Sequence, residues 1–259
     1  MGIFTQAKSA AFAAALLGMS TFSSAVPTLQ LGITGGTYDS VTDTIIASSN
    51  SFSLYAYLIA DAGNPINDIY GLSMAITPQV NSPASLGSFT VDGNVIDVTS
   101  GMTYGIPPLD ATIETANGGD NQDLQTHSIF PTYFAETTFS FSALGKSGIF
   151  NTEDNPSSGP QSGTGMYFAK FDIDVTNLDK EYAIHFDLYN TKLITCRSRD
   201  TECVPGNLDV TQFAPFSHDA QSGPGGDGGG GPPNETPEPA PMFLLGLGLL
   251  GMIWMRRKT

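Results

Sequence analysis

Positive charge is scarce in this chain: 10 Lys and Arg stand against 25 Asp and Glu, a formal net charge of −15 at pH 7. Phosphate backbones are held by clustered cations, so this balance excludes a nucleic-acid partner. It suits a chain kept soluble by self-repulsion, or one that gathers divalent cations. Cysteine is limited to Cys196 and Cys203 and histidine to His127, His185 and His218, with no H-x-x-x-H pair to found a zinc site. There is no G-x-S-x-G elbow, P-loop or dinucleotide fingerprint. The histidine inventory neither excludes nor supports a Ser/His/Asp arrangement, because triads are recognised by geometry. Lys, Glu, Arg and Ala, the residues of surface helices, are thin between residues 26 and 220, and no sustained helical periodicity appears there.

What is present is strand material. "VPTLQLGITGGTYD" reads as a strand, a turn at Gly35–Gly36 and the entry to a second strand, and "TIIASSNSFSLYAYLIA" as two strands around a polar turn. The series continues through "NDIYGLSMAITPQV", "GSFTVDGNVIDVTSGM", "ETTFSFSAL", "MYFAKFDIDVTNL" and "EYAIHFDLYN", each bounded by Gly, Pro, Asn or Asp. In "KFDIDV", Phe171, Ile173 and Val175 share one face while Asp172 and Asp174 share the other, the pattern of a half-buried strand. Repeated short strands with turn punctuation predict an all-β domain over residues 26–220, a two-sheet antiparallel β-sandwich of jelly-roll or immunoglobulin-like kind. Long polar loops at 115–127 and 150–165 are surface excursions or carriers of function. Beyond Ala220, residues 221–236 are Gly- and Pro-rich and form a flexible tether.

The first 25 residues read as a handling signal. Lys8 precedes an apolar stretch from Ala10 to Met19, and small residues follow at Ser23 and Ala25, which predicts a secretory signal peptide cut by signal peptidase between Ala25 and Val26. An uncleaved anchor is the alternative, but the run is short of the roughly 20 residues a spanning helix needs. Export gives the cysteines a meaning: Cys196 and Cys203 enclose six residues and are expected to form a local disulfide worth about 2–3 kcal/mol. As a metal site, two thiolates without a neighbouring histidine supply half a tetrahedral shell.

Four groups of side chains are candidates for chemistry. Asp172, Asp174, Asn177 and Asp179 place hard oxygen ligands at a strand end, and Asp120, Asn121 and Asp123 do so on a loop. Either is a candidate calcium site, set against ordinary Asp/Asn turn chemistry. His185 lies mid-strand with Ile184 and Phe186 on the opposite face, and a packing role is expected. His218 and Asp219 in "SHDAQSG" are adjacent, so on extended backbone they point to opposite sides, and the stretch is expected to be a final strand end that docks the tether. Tyr38, Tyr104 and Tyr133 are candidates for stacking on sugar rings, and "NET" at Asn234 fits a glycosylation acceptor.

The chain ends on a short oily run. Met242 to Met255 spans roughly 21 Å as a helix, short of a hydrocarbon core of about 30 Å. Arg256, Arg257 and Lys258 follow, which keeps the end in the cytoplasm and the β domain outside. With Pro237, Glu238 and Pro239 directly before it, the tail over 237–259 resembles the PEP-CTERM sorting signal of Gram-negative bacteria: Pro-Glu-Pro, a hydrophobic helix, then a basic cluster. That resemblance implies recognition by the membrane enzyme exosortase, transient anchoring in the inner membrane, and delivery to the cell surface or an exopolysaccharide matrix. Residues 26–220, through "VPTLQLGITGGTYD", "TIIASSNSFSLYAYL", "IHFDLYN" and "PFSHDA", resemble the choice-of-anchor N family of bacterial surface proteins. This second resemblance supplies no catalytic residues. The expectation is therefore a non-enzymatic exported surface or matrix protein. Two alternatives stay open, a secreted carbohydrate-binding or carbohydrate-active module and a permanently anchored single-span protein.

Overall fold

Strand formation begins as soon as the predicted signal ends. The structure, a computed structural model, describes residues 26–107, 131–193, 213–215 and 218–223. The predicted signal and sorting helices lie outside these residues. Among the described residues there are thirteen strands and no α-helix. They are β1 (Leu29–Ile33), β2 (Thr37–Asp39), β3 (Thr44–Ile46), β4 (Ser51–Leu58), β5 (Tyr70–Thr77), β6 (Ser88–Val91), β7 (Asn94–Asp97), β8 (Thr103–Gly105), β9 (Thr132–Phe139), β10 (Lys146–Gly148), β11 (Gly165–Asp174), β12 (Ala183–Asn190) and β13 (Asp219–Gln221).

These form the predicted two-sheet sandwich. One sheet runs β1-β4-β11-β6-β7, with β10 also on β11; the other runs β2-β3-β13-β12-β5-β9-β8. Every ladder is antiparallel except one, because β13 pairs in parallel with β3. No hairpin joins those two strands, so no turn dictates their relative direction. β8 and β10 are three-residue strands without a sequence signal of their own, β13 falls at the expected strand end after His218, and β9 starts at Thr132, four residues before the predicted run.

The core follows from alternation. Phe171, Ile173 and Val175 are buried while Asp172 is exposed, as their spacing requires. On β12, Ile184, Phe186 and Leu188 are fully buried between the sheets. Phe52 on β4 meets Phe186 on β12 edge to face at 6.2 Å, and Phe139 on β9 meets Phe171 on β11 at 5.1 Å, so aromatic pairs fasten one sheet to the other. The β6–β7 hairpin turns on Asp92 (φ 49°) and Gly93 (φ 78°), left-handed at both central positions as a two-residue Asp-Gly turn demands.

Strand β1 departs from alternation in a way that explains the loop at 150–165. All five of its residues are buried, including outward-facing Gln30. The loop folds back over this face and Gln30 holds it there. The Gln30 side chain donates Nε2–H to the Phe150 carbonyl (3.0 Å), and its Oε1 accepts from the Thr152 amide (2.9 Å) and hydroxyl (3.1 Å).

Candidate functional site

The outer face of the second sheet carries the densest cluster of ionisable groups. On β12 the two-residue period that turns Ile184, Phe186 and Leu188 inward turns His185, Asp187 and Tyr189 outward. Outward residues normally meet water, yet Asp187 is 3% exposed and Tyr189 fully buried. The pairing of β13 with β12 sets Gln221 opposite His185 and Ala220 opposite Phe186, which carries Asp219 to the side of Asp187 on this same face. On the other flank β5 sets Ser73 opposite Asp187, and β9 sets Glu136 opposite Ser73. A polar row therefore crosses β13, β12, β5 and β9.

His185 Nε2 lies 3.5 Å from Asp187 Oδ1 and 3.8 Å from Asp219 Oδ2. Both separations are long for a hydrogen bond. Asp219 is 1% exposed and its Oδ1 has no hydrogen-bond partner; the buried Ser73 hydroxyl has none either. Burial pushes the Asp219 carboxyl above the usual carboxylate range, the Asp187 charge adds to that, and His185 opposes it. Burial alone would favour a neutral His185, but the Asp187 charge and then the contact with Asp219 outweigh it and raise the imidazole above its ordinary value. Beside the cluster, the Tyr189 hydroxyl donates to Glu136 Oε1 (3.3 Å), and the Tyr189 ring stacks on Phe213 (5.3 Å). That ring lies across Gly71, where a Cβ would stand 2.0 Å from Tyr189 Cζ.

The residues singled out in the sequence have other surroundings. Asp172 accepts from Lys170 Nζ (2.7 Å) and the Ser53 hydroxyl (3.1 Å), Asp174 from the Thr176 amide (2.8 Å), and Asp179 from the Glu181 amide (3.2 Å). Asn177 gives its backbone carbonyl to the Ser88 amide (3.2 Å). His218 and Asp219 do point apart: His218 Nε2 is 2.7 Å from Asn151 Oδ1, on the loop that Gln30 holds. Burial pushes His218 down to about 4, with the Asp154 charge opposing. Tyr38 is half-buried and donates to Asp43 (3.0 Å), while Tyr104, 45% exposed, pairs with Tyr133 at 5.2 Å. Asp120, Asn121, Asp123, His127, Cys196, Cys203 with their predicted disulfide, Asn234, Ala25 and the sorting residues Pro237, Glu238, Pro239, Arg256, Arg257 and Lys258 lie outside the described residues. Val26 is the first residue described.

Sequence reasoning gave His185 a packing role and missed the cluster. Half the signal was available, since His185 and Asp187 stand two apart on a strand and must share a face. The other half was not: Asp219 arrives through a pairing between segments 32 residues apart in sequence.

Fold and site together define an all-β sandwich in which the last strand among the described residues carries a buried carboxylate into a His–Asp–Asp cluster, ahead of a Gly- and Pro-rich sequence. Residues 235–258 match the PEP-CTERM protein-sorting motif. No curated protein and no solved structure is detectably similar to the chain. The chain thus carries the PEP-CTERM sorting signal, which indicates an exported protein processed by exosortase at the membrane and directed toward the cell surface.

Proposed function

We propose that this is a non-enzymatic surface or matrix protein, whose β-sandwich is exported, held briefly in the inner membrane by its C-terminal helix, and passed to the cell surface or the exopolysaccharide matrix, where it works in adhesion or assembly. The observation that carries this reading is the sorting motif at residues 235–258, set behind a Gly- and Pro-rich sequence of the composition of a linker. The resemblance of residues 26–220 to choice-of-anchor N domains and a Cys196–Cys203 disulfide belong to the same reading, as does the acidic charge, which keeps an exported domain soluble.

A second reading, a carbohydrate-binding module, is favoured by one observation. The Tyr104–Tyr133 pair, on the edge strand β8 and its neighbour β9, leaves a large aromatic ring 45% exposed, the kind of surface on which sugars stack. Deleting the gene and fractionating the culture tests the first reading. Loss of the protein should leave matrix polysaccharide synthesised but poorly retained on cells. Retention equal to wild type would count against a matrix role. Tyr104→Ala separates the two readings, because a binding module should lose affinity for purified exopolysaccharide in this variant while sorting continues.

A further inference from the structure

Among the described residues, one group of metal-ligating side chains converges: a donor atom from each of His185, Asp187 and Asp219 lies within 4.8 Å of the others. Two observations mark this cluster as a candidate cation site. The imidazole nitrogen stands 3.5 and 3.8 Å from the two carboxylates, too far for good hydrogen bonds. Those separations are close to the edge of a tetrahedral site, because ligands at 2.0–2.2 Å from an ion lie about 3.4 Å apart. Next, Asp219 Oδ1 and Ser73 Oγ are buried without hydrogen-bond partners, and Ser73 stands opposite Asp187 on the same face. Buried polar atoms are normally satisfied, so an orphan carboxylate oxygen inside the cluster calls for a ligand, and the Ser73 hydroxyl on the far side of Asp187 is a second unsatisfied group on this face.

We propose that His185 Nε2 and the carboxylates of Asp187 and Asp219 bind a divalent first-row transition cation of the zinc class, with Ser73 Oγ or a water in the remaining position. A dication brings two carboxylates and a neutral imidazole to net zero. The imidazole selects against calcium and magnesium, which take oxygen ligands. Entry is through His185, whose side chain is 26% exposed while its partners are almost fully covered. The ion ties β13 to β12 across the outer face. β13 is the last strand among the described residues and precedes the sorting motif in sequence, so the site fastens the C-terminal end of the described domain.

The full chain, stripped with chelator and dialysed, is titrated with zinc chloride by calorimetry in excess calcium, which occupies weak oxygen-only sites. One equivalent should bind, and zinc should raise the melting temperature. His185→Gln and Asp219→Asn should each weaken binding by more than the roughly 10–100-fold that loss of an outer-shell partner costs. A Cys196→Ser/Cys203→Ser variant should bind as wild type, and cobalt should give ligand-field bands without thiolate charge transfer. The proposal is overturned by no zinc binding, by wild-type affinity in His185→Gln and Asp219→Asn, or by loss of binding in the cysteine variant. Should Asp219→Asn fail to fold, His185→Gln, at the partly exposed position, decides.

Discussion

Replacing Gln30 with Ala tests whether a single side chain holds the loop at 150–165 onto the first sheet. The substitution removes the three hydrogen bonds Gln30 makes to this loop, to the Phe150 carbonyl and to the Thr152 amide and hydroxyl, together with a weak one to Met166 Sδ on β11. Each such bond contributes about 0.5–1.5 kcal/mol net, and a buried group left without a partner costs about 1–3 kcal/mol. Gln30 and Thr152 are both covered, so water does not readily replace the lost partner. The loss should therefore be about 3–5 kcal/mol. At about 2–4 °C per kcal/mol for a domain of this size, the melting temperature should fall by roughly 6–20 °C. The cleaner readout is local: GluC should cut after Glu153 faster in Gln30→Ala than in wild type, because the segment is freed from β1. Thr152→Val removes only the hydroxyl bond and should cost about 1 kcal/mol. A Gln30→Ala melting point within about 2 °C of wild type, with unchanged cleavage, would refute the clasp.

Gly71→Ala places a Cβ 2.0 Å from Tyr189 Cζ, and overpacking there should cost about 1–3 kcal/mol by urea denaturation, whereas Tyr189→Phe, which removes only the bond to Glu136, should cost about 1. Phe186→Ala empties the centre of the sandwich beneath Phe52 and should cost about 3–5 kcal/mol in the same assay. Gly87 has φ +85° and a Cβ there would meet the Asn177 carbonyl at 1.9 Å, so Gly87→Ala should lower the melting temperature sharply. Asp174→Asn should lower melting by the same amount in calcium and in chelator if Asp174 only holds its turn; a calcium-dependent difference would give these carboxylates a cation.

The sandwich was legible because its central strands obey local rules. The alternation of Phe171, Ile173 and Val175 against Asp172, and the Asp92–Gly93 turn, each require only neighbours in sequence. The short strands β8 and β10 were not legible, since three residues carry no period, whereas the strand end at β13 was, though its partners depend on where distant segments arrive. The candidate cluster divides the same way. His185 and Asp187 share a face by spacing alone, whereas Asp219 joins them only because β13 inserts between β3 and β12. Gln30 shows the same limit, because β1 reads as half-exposed until a loop more than 100 residues away covers it.

Export and sorting are tested most directly by the intact mass of the mature protein from cells with and without exosortase. The account predicts a chain beginning at Val26 in both, and in cells with the enzyme a C-terminus trimmed near Pro237–Pro239, without the "WMRRKT" end. A wild-type chain that still ends in "WMRRKT" would contradict it and leave a permanently anchored membrane protein in its place.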